Sequence, residues 1–227
     1  MTIRLEDVSV RLDDVDVLRE VTLEIDATTI AVIGENGSGK STFARLLGGL
    51  VPRRSGRLGI LGLDPATQAS ELRRRTALVF SNPDAQIIMP TVAEDVAFSL
   101  RSSGLGRAER QERVEAALER FGLTELAGRS SHALSGGQKQ LLAVCGALVR
   151  DPALVIADEP TAYLDARNAA RVADHLFDDS GHRLVLVTHD LALAGRCECA
   201  VLFADGRVEA IGEPADVIAR YEASLRC

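Results

Sequence analysis

Apolar and polar positions alternate from Ile3 to Val10 and again from Val17 to Ile25, the period-two pattern of strands with one solvated face. The acidic pair Asp13-Asp14 lies between them, so the two segments predict an antiparallel hairpin or sheet edge. Thr29 to Ile33 is a short β-branched run that ends at Gly34. After a loop rich in glycine and serine, the segment Lys40 to Leu50 shows helical spacing up to Gly48-Gly49. Ala77 to Phe80, Leu154 to Ala157 and Leu184 to Thr188 are unbroken apolar runs, as expected of strands covered on both faces. Together these predict an α/β fold with a mostly parallel sheet under helices and an antiparallel part at the N-terminus.

Between Pro90 and His132 the texture changes. Val92 to Leu100 and Arg107 to Phe121 read as amphipathic helices, the second with Glu112, Glu115 and Glu119 interleaved with arginines. The expected layout is one domain over 1–227, with an α/β core from 1–90 and 151–227 and an inserted helical subdomain at 91–150. A solvated helical pair with no task of its own is the plainer reading of that block. Cys199 to Val208 predicts a hairpin around Asp205-Gly206, followed by a short helix from Pro214.

The 227 residues carry 26 Lys+Arg against 33 Asp+Glu, a net charge of −7 that repels nucleic acid and anionic membrane surfaces. No stretch reaches the roughly 20 apolar residues of a membrane span, and MTIRLEDVSV has no signal-peptide core, so the chain is expected in the cytoplasm. Cys145, Cys197, Cys199 and Cys227 lack the paired spacing of a zinc site and read as reduced thiols. Only Lys40 and Lys139 are lysine; every other basic residue is arginine, which marks both positions for attention.

Lys40 closes the phosphate-loop pattern Gly34-Glu35-Asn36-Gly37-Ser38-Gly39-Lys40-Ser41, placed after one buried strand and before one helix. Glycines let the backbone from Asn36 to Gly39 wrap a phosphate chain, so that its N–H groups and those at Thr42 and the helix N-terminus face it. Lys40 supplies charge to the β- and γ-phosphates of a nucleotide, and the Ser41 hydroxyl is a ligand for Mg²⁺. Asp158-Glu159 ends the strand Leu154 to Ala157, where ligands of open α/β sheets collect. Such a pair alone more often begins a helix; beside a phosphate loop it reads as Asp158 on Mg²⁺ and Glu159 as general base.

Leu134-Ser135-Gly136-Gly137-Gln138 separates this chain from kinases and GTPases. With it, the sequence resembles the ATPase subunit of ATP-binding cassette (ABC) transporters over nearly its whole length. The resemblance implies that Ser135, Gly136, Gly137 and Gln138 open a helix reaching Val149 and serve the γ-phosphate bound by the opposite subunit of a head-to-tail dimer. Tyr163-Leu164-Asp165-Ala166 looks like the family's D-loop, with Asp165 at the nucleotide, and His189 looks like its switch histidine, which contacts the γ-phosphate and orients water with Glu159. His132, Cys145, His175 and His182 read as structural.

Phe80 to Gln86, Pro90-Thr91-Val92 and Glu94 to Phe98, with SGGQKQ at 135–140, resemble the ATPases of energy-coupling-factor (ECF) importers for vitamins and for cobalt or nickel; Ile-Ile-Met-Pro-Thr-Val leans toward biotin. The resemblance implies a second ATPase subunit, a transmembrane coupling protein docked on the 82–100 region, a membrane protein that captures substrate, and a place on the inner face of the cell membrane; the acidic charge adds the expectation of no nucleic acid. Three departures stand out. Ser81 holds the place of a glutamine that touches Mg²⁺ and senses the γ-phosphate. Leu12, with Arg11 beside it, stands where an aromatic stacks on adenine, and Tyr163 replaces a small residue, at the dimer interface or in the core. Ser81 also motivates the alternative of a clamp that binds ATP, hydrolyses it poorly and is paired with a catalytic sister. An ATPase acting on DNA or ribosomes is disfavoured by the acidic charge.

Overall fold

A computed structural model describes residues 3–178 and 181–225, which fall into two compact units. The first takes residues up to 77, with 156–159 and those from 183 onward; the second takes 78–155 and 160–182.

In the first unit β1 (Ile3–Leu12) and β2 (Val15–Ile25) pair antiparallel, from Ile3 opposite Ile25 to Leu12 opposite Val15. Asp13 and Asp14, at φ 45° and 63°, make the two-residue turn with both positions left-handed that suits the twist of a hairpin. After β3 (Thr29–Gly34) and α1 (Lys40–Leu47), β4 (Ser55–Ile60) pairs with the other edge of β1, which becomes the middle strand of a three-stranded sheet. The sequence SGRLGI hides this strand, because its first three residues are exposed and two glycines interrupt it. α2 (Pro65–Arg75) follows, with Leu72 its one buried residue, too polar to leave a helical period.

The larger sheet contains β3, β5 (Thr76–Val79), β6 (Leu154–Asp158), β7 (Arg183–Val187), β8 (Cys199–Ala204) and β9 (Arg207–Gly212), in the order β5-β6-β7-β3-β8-β9. β3 is parallel to β7 and β8, while β9 returns antiparallel along β8. Every residue of β6 is buried, the reason its sequence is unbroken and apolar. The rings of Phe43 on α1 and Phe203 on β8 meet at 5.0 Å and 43°, a tilted pair adding about 0.5–1.5 kcal/mol to the burial of both.

In the second unit α3 (Val92–Ser99), α4 (Arg107–Arg120), α5 (Gly136–Leu148) and α6 (Ala166–Phe177) pack with α3 against α4 and α5, and α6 against α5. α7 (Leu191–Ala194) and α8 (Pro214–Ser224) belong to the first unit. The second unit contains the stretch 91–150 and extends beyond it, because α5 is buried nearly all round and α6 supplies one of its covers. The structure is thus mixed α/β, with a mostly parallel sheet and a separate antiparallel one.

Cys145, Cys197 and Cys199 carry free thiols, and burial pushes those of Cys145 and Cys197 up to about 12; Cys227 lies outside the described residues. His182 is buried with Nε2 2.9 Å from the Leu176 carbonyl, and His175 stacks on Phe121, so both have structural partners. No helix among the described residues is long and apolar enough to cross a membrane.

Candidate active site

β3 delivers the chain at Gly34 and α1 takes it up at Lys40, so the phosphate loop is held at both ends by buried elements. Gly34 and Gly39 are required by space as well as by φ, whereas Gly37 (φ 83°) is required by φ alone. A Cβ on Gly34 (φ 142°) would lie 2.2 Å from the Phe203 carbonyl oxygen, and one on Gly39 (φ 103°) 2.8 Å from Leu18 Cδ2. No side chain caps α1, whose N-terminus is therefore open to an anion. Lys40 is buried and its Nζ donates to the carbonyls of Gly34 and Glu35, both at 2.7 Å. Burial pushes its ammonium below the usual lysine range, against the pull of Glu159, Asp158 and Glu35.

The β8–β9 turn braces this loop, a role that sequence reasoning did not find. Asp205 and Gly206 both have positive φ, and Gly206 donates to the Ser38 carbonyl at 3.1 Å while accepting from Arg19 N–H at 2.9 Å. A Cβ on Gly206 (φ 77°) would lie 2.3 Å from the Val17 carbonyl oxygen. The Asp-Gly hairpin signal was legible, but its contact with a loop 168 residues earlier was not. Gly206→Ala is expected to destabilise the chain by about 1–3 kcal/mol and to weaken ATP binding; a melting curve and titration calorimetry check this, and an unchanged Tm would refute the brace.

Ser41 donates through Oγ to Asp158 Oδ1 at 3.0 Å. Burial raises the Asp158 carboxyl above its usual range, opposed by that hydrogen bond and by Arg45 and Lys40. The hydroxyl and carboxylate are hard oxygen donors already in contact, next to the loop that would present phosphate oxygens, and this set suits Mg²⁺ shared with a nucleotide. Among the described residues no cluster of three or more His, Cys, Asp or Glu would hold a metal unaided.

Glu159 N–H donates to the Val187 carbonyl at 2.9 Å and the residue sits at φ 52°, a left-handed conformation uncommon for glutamate. Its carboxylate accepts from His189 N–H at 3.3 Å through Oε2, while His189 Nε2 stands 3.1 Å from Oε1 without closing a hydrogen bond onto it. Burial raises the Glu159 carboxyl, opposed by His189 and Lys40. Asp190 fixes the other side of His189 by capping α7 through the N–H groups of Ala192 and Leu193. The fold thus gathers Lys40, Ser41, Asp158, Glu159 and His189, which lie up to 149 residues apart in sequence.

Leu12 is half-buried at the end of β1, while the Arg11 guanidinium is closed on both oxygens of Asp16 at 2.8 and 2.7 Å. In the second unit, Ser81 is half-buried just after β5. Gln86 is committed elsewhere: its Oε1 accepts from Phe80 N–H at 2.7 Å and its Nε2 donates to the Leu78 carbonyl at 2.9 Å. Ser135 caps α5 in a reciprocal box with Gln138, whose Oε1 accepts from Ser135 N–H at 2.9 Å. Gly136 is exposed, and Gly137 lies under Asn168, where a Cβ would be 2.4 Å from Cγ. Both carboxylate oxygens of Asp165 accept from Asn168, at 2.9 and 2.7 Å, which caps α6 and holds the carboxyl below its usual range. Tyr163 is 99% exposed at φ 63°, which overturns a core-packing role for its ring.

The family model for the ABC transporter domain matches residues 18–162. The chain belongs to the ABC transporter family. It is 40% identical to a biotin transport ATP-binding protein, BioM, of Rhizobium etli, across 97% of this chain and 98% of that protein. It is 44% identical to the energy-coupling factor transporter ATP-binding protein EcfA1 of Symbiobacterium thermophilum, across 85% of this chain and 69% of that one. Among solved structures, CbiO1 of Clostridium perfringens, part of the CbiONQ complex, superposes with a TM-score of 0.85 at 30% identity over 97% of this chain and 92% of that chain. A dimeric post-hydrolysis state of the ATP-binding cassette MJ0796 with ADP and Pi gives 0.81 at 26% identity over 94% and 99%. The protein is an ABC-type ATPase, similar over most of its length to the ATP-binding subunits named for biotin transport and for energy-coupling factor transporters.

Proposed function

We propose that this ABC ATPase powers an ECF-type importer of biotin, another vitamin, or a cobalt or nickel ion, as one subunit of an ATP-closed dimer at the inner face of the cell membrane. The observation that carries the reading is the cluster of Lys40, Ser41, Asp158, Glu159 and His189 around an open phosphate loop. Lys40 would hold the β- and γ-phosphates of ATP, Glu159 would take the proton of the attacking water, and His189 would orient that water and meet the γ-phosphate. Ser41 and Asp158 would hold Mg²⁺, which when bound neutralises charge on the phosphates, with Ser81 proposed as a further ligand. Ser135, Gly136 and Gly137 would complete the site of the opposite subunit, with Asp165 setting their neighbour Asn168 in place. Exposed Ile88 and Phe98, in the 82–100 region, offer apolar contact to a transmembrane coupling protein; a separate membrane protein would capture the substrate.

The test is Mg-ATP turnover by the purified chain, alone and with copurified membrane partners. Turnover that rises with the partners supports the reading. ATP binding without turnover in either setting refutes it in favour of the clamp with a catalytic sister, which the commitment of Gln86 to backbone groups favours, since Gln86 is not free to replace the glutamine missing at Ser81.

A further inference from the structure

Lys40 is explained by the phosphate loop, which leaves Lys139 as the other lysine in a chain that otherwise uses arginine. Lys139 lies in the first turn of α5, directly after Gln138, and its Nζ donates to Asp84 Oδ1 at 2.7 Å with the side chain only 17% exposed. Its neighbour Gln140, 1% exposed, donates through Nε2 to the Phe80 carbonyl at 3.0 Å. The Phe80 N–H is in turn held by Gln86. Both peptide groups of the residue preceding Ser81 are therefore fixed by glutamine side chains, one of them from α5. The 3₁₀ turn Pro83–Ala85 is tied to the same helix by an ion pair. Further on, Asp95 Oδ1 accepts from Ile88 and Met89 N–H at 2.8 and 2.9 Å, so the run ending in exposed Ile88 is anchored as well.

A partly exposed ion pair adds little to folding, so stability does not account for a lysine here. The largely covered Lys139 stem brings a compact ammonium to one oxygen of Asp84, a single-point contact for which the five-donor fork of arginine is less suited. The buried Gln140 amide is costly to leave unpaired, which makes its bond to Phe80 hard to break without moving α5. We propose that Lys139 and Gln140 are positioning residues that lock the segment 80–86 to α5, so that Ser81 and the run at 87–89 move as one piece with Ser135, Gly136 and Gly137. The lock would pass displacement of the 82–100 region to the helix that serves ATP. This rests on the reading that Ser81 and Ser135–Gly137 serve ATP hydrolysis.

The test reverses and then exchanges the charges of the pair. Lys139→Glu and Asp84→Lys each oppose like charges across the contact, and each is expected to lower kcat for ATP by about 2- to 30-fold, the usual range of coupling through such networks, with KM and Tm nearly unchanged. The double variant Lys139→Glu/Asp84→Lys is expected to recover most of the loss. Amide hydrogen exchange read without nucleotide should show residues 80–88 opening faster in each single variant and returning to the unaltered rate in the exchanged pair. Single variants with unchanged exchange, or losses that the exchanged pair does not repair, overturn the assignment. Gln140→Met should loosen the same segment, but it alters a buried site, so the ion pair carries the test. If the unaltered chain proves unable to hydrolyse ATP, the proposed function fails, while the exchange comparison still decides whether the lock exists.

Discussion

Glu159→Gln is expected to lower ATP turnover by about 10²–10⁴-fold while ATP binding is kept, the usual contribution of a general base. The substitution preserves shape and the acceptor facing His189 N–H, but it removes the site for the water proton. Because the transition to the open state would then wait on a step that hardly occurs, the ATP-bound dimer should accumulate and be visible by size-exclusion chromatography with light scattering. An unchanged rate would remove Glu159 from the chemistry. Burial raises the Glu159 and Asp158 carboxyls, so their ionised forms cost the nucleotide-free fold stability. The fold is therefore spared this cost below the unfolded carboxyl range, where both groups are protonated, and loses that stability as pH rises through the raised folded values. Glu159→Gln, which cannot ionise, should accordingly melt no lower than the unaltered chain at neutral pH. For the same reason the acid limb of turnover should fall at a pH above 4.5, the ordinary value for glutamate.

Lys40→Ala is expected to weaken ATP binding by about 10²–10⁴-fold, from the loss of charge-assisted hydrogen bonds worth about 1.5–3 kcal/mol each. The lysine acts twice. Its Nζ ties the carbonyls of Gly34 and Glu35 to each other, which shapes the loop, and it offers the remaining donor to phosphate. Alanine leaves both carbonyls without that donor and removes the only lysine charge in the loop. Isothermal titration with ATP in the presence of Mg²⁺ checks this, and affinity within a few-fold of the unaltered chain would refute the assignment. Lys40→Arg should not rescue binding, because the slot is buried and closed around a single nitrogen.

Where chemistry needs a fixed local spacing, the residues alone carried the argument. Glycines at 34, 37 and 39 before Lys40-Ser41, and Asp158-Glu159 at the end of an apolar run, were legible because each motif is one strand meeting one turn. The same locality made the Asp205-Gly206 hairpin and the start of α5 readable. β4 and α2 were not, since exposed and polar residues leave no periodic signal even where the backbone is regular.

The sequence by itself determined the fold class and the family, and it carried the phosphate-loop pattern, the acidic pair and the signature-like segment as short contiguous motifs. Only the tertiary structure decided that Gly206 braces Ser38, that Gln86 is spent on the backbone of its own turn, that Tyr163 stands in solvent, and that Lys139 reaches Asp84. Those outcomes depend on which backbone and side-chain groups meet once the chain has packed, whether the partners are near in sequence, as for Gln86, or far apart, as for Gly206 and Lys139. A hydrogen bond between residues 55 or 168 positions apart leaves no mark in local spacing, because the partner is chosen by the packed geometry of both segments.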